Sequence, residues 1–337
     1  MPASTLSASA PITRREALRR TILFSTAALT AGQRGILRAA PATATFQSRG
    51  LHLLALGDYG TKGNERQIAV ANRMATFAKS LDQPLAAVLA LGDNFYKKLT
   101  TDRFDIHFEK IYSPEHLNCP FYACAGNHDY GTAGYDLQAG KLQMQLDYAK
   151  RNPQSRWKFP AKWYTIELPN ADNPLVKIIV LDGNYWSGAL TPQEKIEQRH
   201  FLKAELKAPT KAPWLWAVNH FPMFSECTKR GDEKSLITEW GTHMQRHPVA
   251  LFISGHDHSM QHLQVEGYAT NFIVSGAGGA NLYDVNPSKR GFIDNSNLGF
   301  NHIHVTPDEL HVQFISATGD CLHHFQRDLS GKIKVLA

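Results

Sequence analysis

A chain of 337 residues with 43% hydrophobic and 10% aromatic content can bury a large core, so composition excludes a disordered chain and leaves one large domain or two smaller ones. The formal net charge of +6 would suggest a polyanion partner, but up to Ala44 there are six arginines against one acid, Glu16, and the rest of the chain balances 30 basic with 29 acidic residues. The basic excess belongs to the N-terminus, and the body carries no electrostatic signature of nucleic-acid binding.

Residues 1–44 read as an address and a linker. Paired arginines precede an apolar stretch, Thr21 to Gly32, that is well short of the roughly 18 residues a membrane span needs. Small residues at Ala42-Thr43-Ala44 suit a signal peptidase. Arg14-Arg15 resembles a bacterial twin-arginine signal, with Ala17 where a bulky apolar residue is more usual. The alternative is a basic amphipathic helix kept in the mature protein. The resemblance implies contact with export machinery, a periplasmic or secreted fate and, because that route carries folded proteins, a metal loaded before export.

Residues 45–337 then form one expected domain. Leu51–Asp58 is a strand-length apolar run ending in a polar turn. A helix follows, with Asn64 as N-cap, Gln67 in capping-box position, and Val70, Met74, Phe77 and Leu81 at helical spacing. A second buried strand ends at Gly92-Asp93, a helical stretch begins near Thr101, and a third strand runs into Gly126-Asn127-His128-Asp129. Val176–Gly183 is a β-branched strand, and Thr191, Pro192 and Glu194 open another helix. Two more apolar runs, ending at His220 and at His256, flank a helix around Glu233 to Gln245. From Met260 the chain alternates and turns as antiparallel strands do. The expected class is α/β, with mixed sheets covered by helices. The four cysteines (Cys119, Cys124, Cys227, Cys321) lack metal-ligand spacing, and Cys119 and Cys124 flank a strand with side chains facing opposite ways.

Polar residues collect where the apolar runs end: Asp58, Asp93 with Tyr96, Asn127 with His128, His220, and His256 with His258. In open α/β sheets the carboxyl ends of strands line the ligand crevice, so these groups would converge there. Carboxylate, phenolate and amide oxygens with imidazole nitrogens suit metal coordination. A lone Asp after a strand is commonly a turn residue, and the other twelve histidines read as surface or satisfied polar residues. His302 and His304, for example, alternate with Ile303 and Val305 as on a half-exposed strand. Five groups at five run ends, four of them preceded by glycine, are another matter.

The order GD-x-G, GD-x-x-Y, GNH-D, strand-end His and GH-x-H resembles the calcineurin-like metallophosphoesterases, over roughly Leu51 to His324. The tyrosine of the second motif resembles the purple acid phosphatase branch, and the compact size is similar to its tartrate-resistant type. The resemblance implies a four-layer α/β/β/α sandwich of two mixed sheets with antiparallel C-terminal strands. It implies a dinuclear centre: Fe(III) on Asp58, Asp93, Tyr96 and His258, and Fe(II), Zn(II) or Mn(II) on Asp93, Asn127, His220 and His256, with Asp93 bridging. The implied activity is acid hydrolysis of phosphate monoesters, small phosphorylated molecules, by a metal-activated hydroxide. His128 is either the proton donor to the leaving alcohol or a hydrogen bonder behind the ligands.

The chain departs from the family in the loop after His220, which lacks the histidine animal relatives place there; Lys229 or Arg230 supplies positive charge instead, or nothing does. Tyr185 and Trp186 follow a strand, as a platform for an aromatic substrate or as packing caps. Two other functions fit the same residues: a phosphodiesterase or nucleotide hydrolase on the same centre, and a non-catalytic iron-binding protein.

Overall fold

The apolar run Leu51–Leu56 is buried along its whole length because it lies in the middle of a sheet and is covered on both faces. In this computed structural model, residues 50–131, 137–185 and 189–337 are described; the expected export signal and linker (1–44) and Trp186 lie outside the described residues. The first sheet has eight strands. Within it β1 (Leu51–Leu56), β2 (Ala87–Ala90), β3 (Phe121–Ala123) and β4 (Trp157–Lys158) run parallel. On the other side of β1 the sheet continues antiparallel through β12 (Gly299–Val305), β13 (Glu309–Ser316), β14 (Cys321–Asp328) and β15 (Ile333–Val335).

The second sheet has seven strands in the order β11-β9-β10-β8-β7-β6-β5. These are β5 (Tyr164–Leu168), β6 (Val176–Val180), β7 (Trp214–Val218), β8 (Val249–Ser254), β9 (Met260–Gln264), β10 (Asn271–Ser275) and β11 (Gly291–Asp294). Strands β6, β7, β8 and β10 run parallel, so the sheet is mixed as expected.

Among the described residues, four helices longer than one turn cover the sheets: α1 (Glu65–Ser80), α2 (Lys141–Arg151), α3 (Pro192–Lys207) and α4 (Lys234–Arg246). One core joins Leu53, Ile303 and Val312 of the first sheet to Ile178, Trp216 and Ile253 of the second, and α1 adds Val70 and Met74. A second core packs Leu202 of α3 and Leu236, Trp240 and Met244 of α4 against Ile179, Ala217 and Phe252. This is the expected helix, sheet, sheet, helix layering. Truncating a side chain such as Leu236 to alanine costs about 2–5 kcal/mol at such a site. No helix among the described residues is long and apolar enough to cross a membrane.

Local signals explain the helix ends. At α3 the capping box is complete: Glu194 N donates to Thr191 Oγ1 (3.2 Å) and Thr191 N donates to Glu194 Oε2 (2.9 Å). At α1 only half of it forms. Gln67 N donates to Asn64 Oδ1, but Gln67 Oε1 accepts from Gly63 N, one residue before the cap, because its amide is drawn inward to His107 O. The helix expected from Thr101 is one turn, Asp102–Phe104, continuing as a π-turn, Asp105–Glu109. Helix α2, for which the sequence pattern gives no clear helical signal, buries Leu142 and Gln145.

The face carrying His302 is not half exposed. Phe77 of α1 covers it with ring centroids 4.7 Å apart, and burial lowers the His302 pKa to about 3. All four cysteines are free thiols; Cys119 and Cys124 are buried in the core, where desolvation pushes Cys119 up to about 12.

Candidate metal centre

The carboxyl ends of β1, β2 and β3 in one sheet and of β7 and β8 in the other meet, and each delivers the residues expected there. Asp58, Asp93 and His256 adopt left-handed backbone conformations, with φ of +59°, +52° and +67°. Non-glycine residues rarely do so, and such strain persists where the surroundings over-determine it. Here they do. Asp58 Oδ2 accepts from His256 N at 2.7 Å, tying the β1 turn to the β8 turn across the two sheets. Asp93 Oδ1 accepts from His128 N at 2.9 Å. A Cβ on Gly126 would stand 2.2 Å from both Asp93 N and Oδ1, so only glycine lets the third loop close on the second.

The side-chain atoms then converge in two groups. In the first, Asp58 Oδ1 lies 3.3 Å from Tyr96 Oη and 3.2 Å from His258 Nε2, and the last two are 3.2 Å apart. In the second, His220 Nε2 lies 3.4 Å from Asp93 Oδ1, 3.3 Å from Asn127 Oδ1 and 3.2 Å from His256 Nδ1. The far nitrogens decide the tautomers. His258 Nδ1 faces Asn281 O at 2.6 Å and His220 Nδ1 faces Leu91 O at 2.7 Å. A carbonyl only accepts, so both Nδ1 atoms carry protons, and in the neutral imidazoles both Nε2 lone pairs point into the site.

Around His220 Nε2 a lone pair therefore meets a carboxylate oxygen, an amide oxygen and a second imidazole nitrogen. One proton can satisfy only one of those contacts, whereas a cation satisfies all of them. Asp58, Asp93 and His220, all buried, can each offer a ligand atom within 4.8 Å of the others, and among the described residues they are the one such trio. The donor set fits a metal on this ground alone.

Burial lowers His258, but the Asp58 carboxylate outweighs it and raises the pKa, so a cation there has to displace a proton; the other groups lean toward a metal. Burial and the neighbouring His220 imidazole hold His256 well below its ordinary pKa, keeping it neutral. Burial would raise Asp93, but His220 and His128 outweigh it and keep the carboxyl below its usual range. Burial, with Asp93 and Asp58 adding to it, pushes the Tyr96 phenol well above 10, so ionising it needs positive charge nearby.

His128 lies beside this cluster, with Nε2 3.9 Å from Asp93 Oδ2 and its ring edge-on to Tyr96 at 4.6 Å. It is partly exposed, as a group that meets a substrate must be.

Several contributors were not singled out from the sequence. Asp129 is buried and accepts five hydrogen bonds: Asn94 N, Asn94 Nδ2 and Gly126 N on Oδ2, and Phe95 N and Gln145 Nε2 on Oδ1. It pins the Asp93 loop to the Asn127 loop. The glycine-rich segment after β10 closes the site: Gly278 N donates to Gly57 O and Ala280 N to Asp58 O. Tyr283 stacks on His258 at 4.0 Å. The glycines of "SGAGGAN" were the available signal for that closure.

The expected substrate contacts divide. Tyr185 takes the packing alternative: its ring is buried edge-on against Trp240 of α4 at 5.8 Å, in the second core, where it offers no platform. Lys229 and Arg230 are exposed over the Tyr283 ring, at 4.4 and 5.1 Å. Arg230 is held by His256 O and Asp257 Oδ1 and lines a cleft of about 380 Å³ with Phe221, Pro222, Glu233 and His256.

The family model for calcineurin-like phosphoesterases matches residues 51–260. The chain belongs to that family. Tartrate-resistant acid phosphatase type 5 of Sus scrofa is 31% identical, over 81% of this chain and 85% of the relative. Purple acid phosphatase 3 of Arabidopsis thaliana is 28% identical, over 91% and 84%. Among solved structures, GAP50, the anchor in the inner membrane complex of Plasmodium, is similar in fold, with a TM-score of 0.66 at 21% identity over 82% and 88%. Family membership and the buried Asp/Asp/His cluster make this phosphoesterase a metal-dependent hydrolase.

Proposed function

We propose that the protein is an acid phosphatase that hydrolyses phosphate monoesters at a dinuclear centre, exported with its metals to the periplasm or beyond. The observation that carries the reading is the convergence of inward-facing lone pairs in two adjacent groups that Asp93 borders. Asp58, Asp93, Tyr96 and His258 would hold Fe(III), for which a phenolate is a hard, strongly donating ligand. Asp93, Asn127, His220 and His256 would hold Fe(II), Zn(II) or Mn(II). When bound, the pair supplies an acidified water and positive charge against the phosphoryl oxygens.

The chain's own residues do the rest. Leu91 O and Asn281 O fix the tautomers of His220 and His258. His128 would protonate the departing alcohol, since its side chain is partly exposed and its Nε2 lies 3.9 Å from Asp93 Oδ2, beside the ligands. Arg230, anchored by Asp257, would meet the substrate at the mouth of the cleft. That placement makes up for a loop without a histidine. Phosphorylated small molecules fit a cleft of about 380 Å³.

The test compares turnover of an aryl phosphate monoester and the matching diester by the metal-loaded protein, residues 45–337, from pH 4 to 8. A monoester preference with an acid optimum is expected. A diester preference transfers the reading to a phosphodiesterase, and no turnover of either with metal bound refutes it.

A further inference from the structure

The outer face of the first sheet, at the end remote from Asp58, carries five histidines. Register sets them in two adjoining rows: His52 of β1, His304 of β12 and His311 of β13 in one, His302 of β12, Gln313 of β13 and His324 of β14 in the other. The inner members partner one another. His52 Nδ1 and His302 Nε2 are 2.9 Å apart, His302 Nδ1 faces Gln313 Oε1 at 2.8 Å, and His304 stacks on His52 at 4.4 Å.

The pair on β13 and β14 is different. His311 Nε2 lies 3.2 Å from Glu309 Oε1. A carboxylate only accepts, so that nitrogen carries the proton and Nδ1 presents its lone pair. Facing it, 3.1 Å away, is His324 Nε2. Gln326 Nε2 donates to the other Glu309 oxygen and fixes the carboxylate. A carboxylate that orients an imidazole whose second nitrogen is free to ligate is the usual support of a metal-bound histidine. Two metal–nitrogen bonds of about 2.0–2.1 Å at angles between a right angle and the tetrahedral value place the nitrogens roughly 2.9–3.4 Å apart. The observed separation falls inside that range. Both rings are half-buried at the surface, which leaves room for water to complete the coordination.

We propose that His311 and His324 form a second metal site, separate from the phosphoesterase centre, for a late first-row divalent cation such as Zn2+ or Cu2+, with Glu309 as its orienting carboxylate. Two imidazoles and no thiolate select borderline ions of this kind over Mg2+ or Ca2+.

The test titrates Zn2+ into the fully metal-loaded enzyme by calorimetry, comparing wild type with the double variant His311→Gln/His324→Gln. Wild type is expected to take up one equivalent more than the double variant, with equal phosphatase turnover in both. Glu309→Ala is expected to weaken that equivalent about 10–100-fold without removing it. Copper(II) added to the loaded enzyme gives a second readout: an electron paramagnetic resonance signal with nitrogen couplings that the double variant lacks. Equal uptake and equal copper spectra would mean the pair is only a hydrogen bond between imidazoles, and would overturn the site.

Discussion

Replacing Asp129 by asparagine tests whether the two central loops are held by one buried carboxylate. The carboxylate accepts three hydrogen bonds on Oδ2 and two on Oδ1. An asparagine oriented to keep the three-donor side puts its NH2 against Phe95 N and Gln145 Nε2, leaving two buried donors without an acceptor. At about 1–3 kcal/mol for each, the loss is roughly 2–6 kcal/mol. Burial, aided by Asp93, raises the pKa of Asp129, so removing its charge returns part of that cost. The expected net destabilisation is about 2–4 kcal/mol in urea unfolding of the metal-loaded enzyme. Because Asn94, Phe95 and Gly126 flank Asp93 and Asn127, kcat should fall with it, by roughly 10- to 100-fold, as the loops lose register. A variant within 0.5 kcal/mol of wild type and equally active would show that the loops hold themselves, and the reasoning would be wrong.

Gly126→Ala should be still more damaging to the site: a Cβ 2.2 Å from Asp93 N must push that loop by about an ångström, so metal content and kcat both fall, the latter about 100-fold; full activity would refute the packing argument. His128→Ala should keep its metals, by elemental analysis, yet lose roughly 100-fold or more in turnover, and unchanged turnover would remove it from proton transfer. Stability should decline in acid. Burial holds His262 at about 4 and His302 at about 3, so between pH 6.5 and those values the unfolded chain binds protons that the folded chain refuses. Each histidine then takes away roughly 1 kcal/mol per pH unit as the pH falls through that window. Urea midpoints measured from pH 7 to 4 should show this slope and a shallower one in His302→Gln; equal slopes would contradict it.

The strand ends and the residues on them were legible because each follows an apolar run and lands at a sheet's carboxyl edge, where period and turn chemistry act locally. The layering was legible for a similar reason, since continuous runs such as Leu51–Leu56 need cover on both faces. What could not be read were contacts made across the sheets. Asp129 looks like the tail of "GNHD", and its five partners come from four separate positions in the chain. The Tyr185 ring is buried against Trp240 of α4, a residue far along the chain. Nothing local to β12 announces that Phe77 covers His302. The left-handed backbone at Asp58, Asp93 and His256 likewise comes from the mutual locking of three loops.

The most direct test is the visible absorption spectrum of the protein loaded with iron, recorded beside Tyr96→Phe. If the lone pairs around Asp58 and His258 enclose a ferric ion that Tyr96 binds as a phenolate, wild type shows a broad charge-transfer band that the variant lacks. A colourless wild type with full metal occupancy would place the iron away from Tyr96 and contradict the assignment.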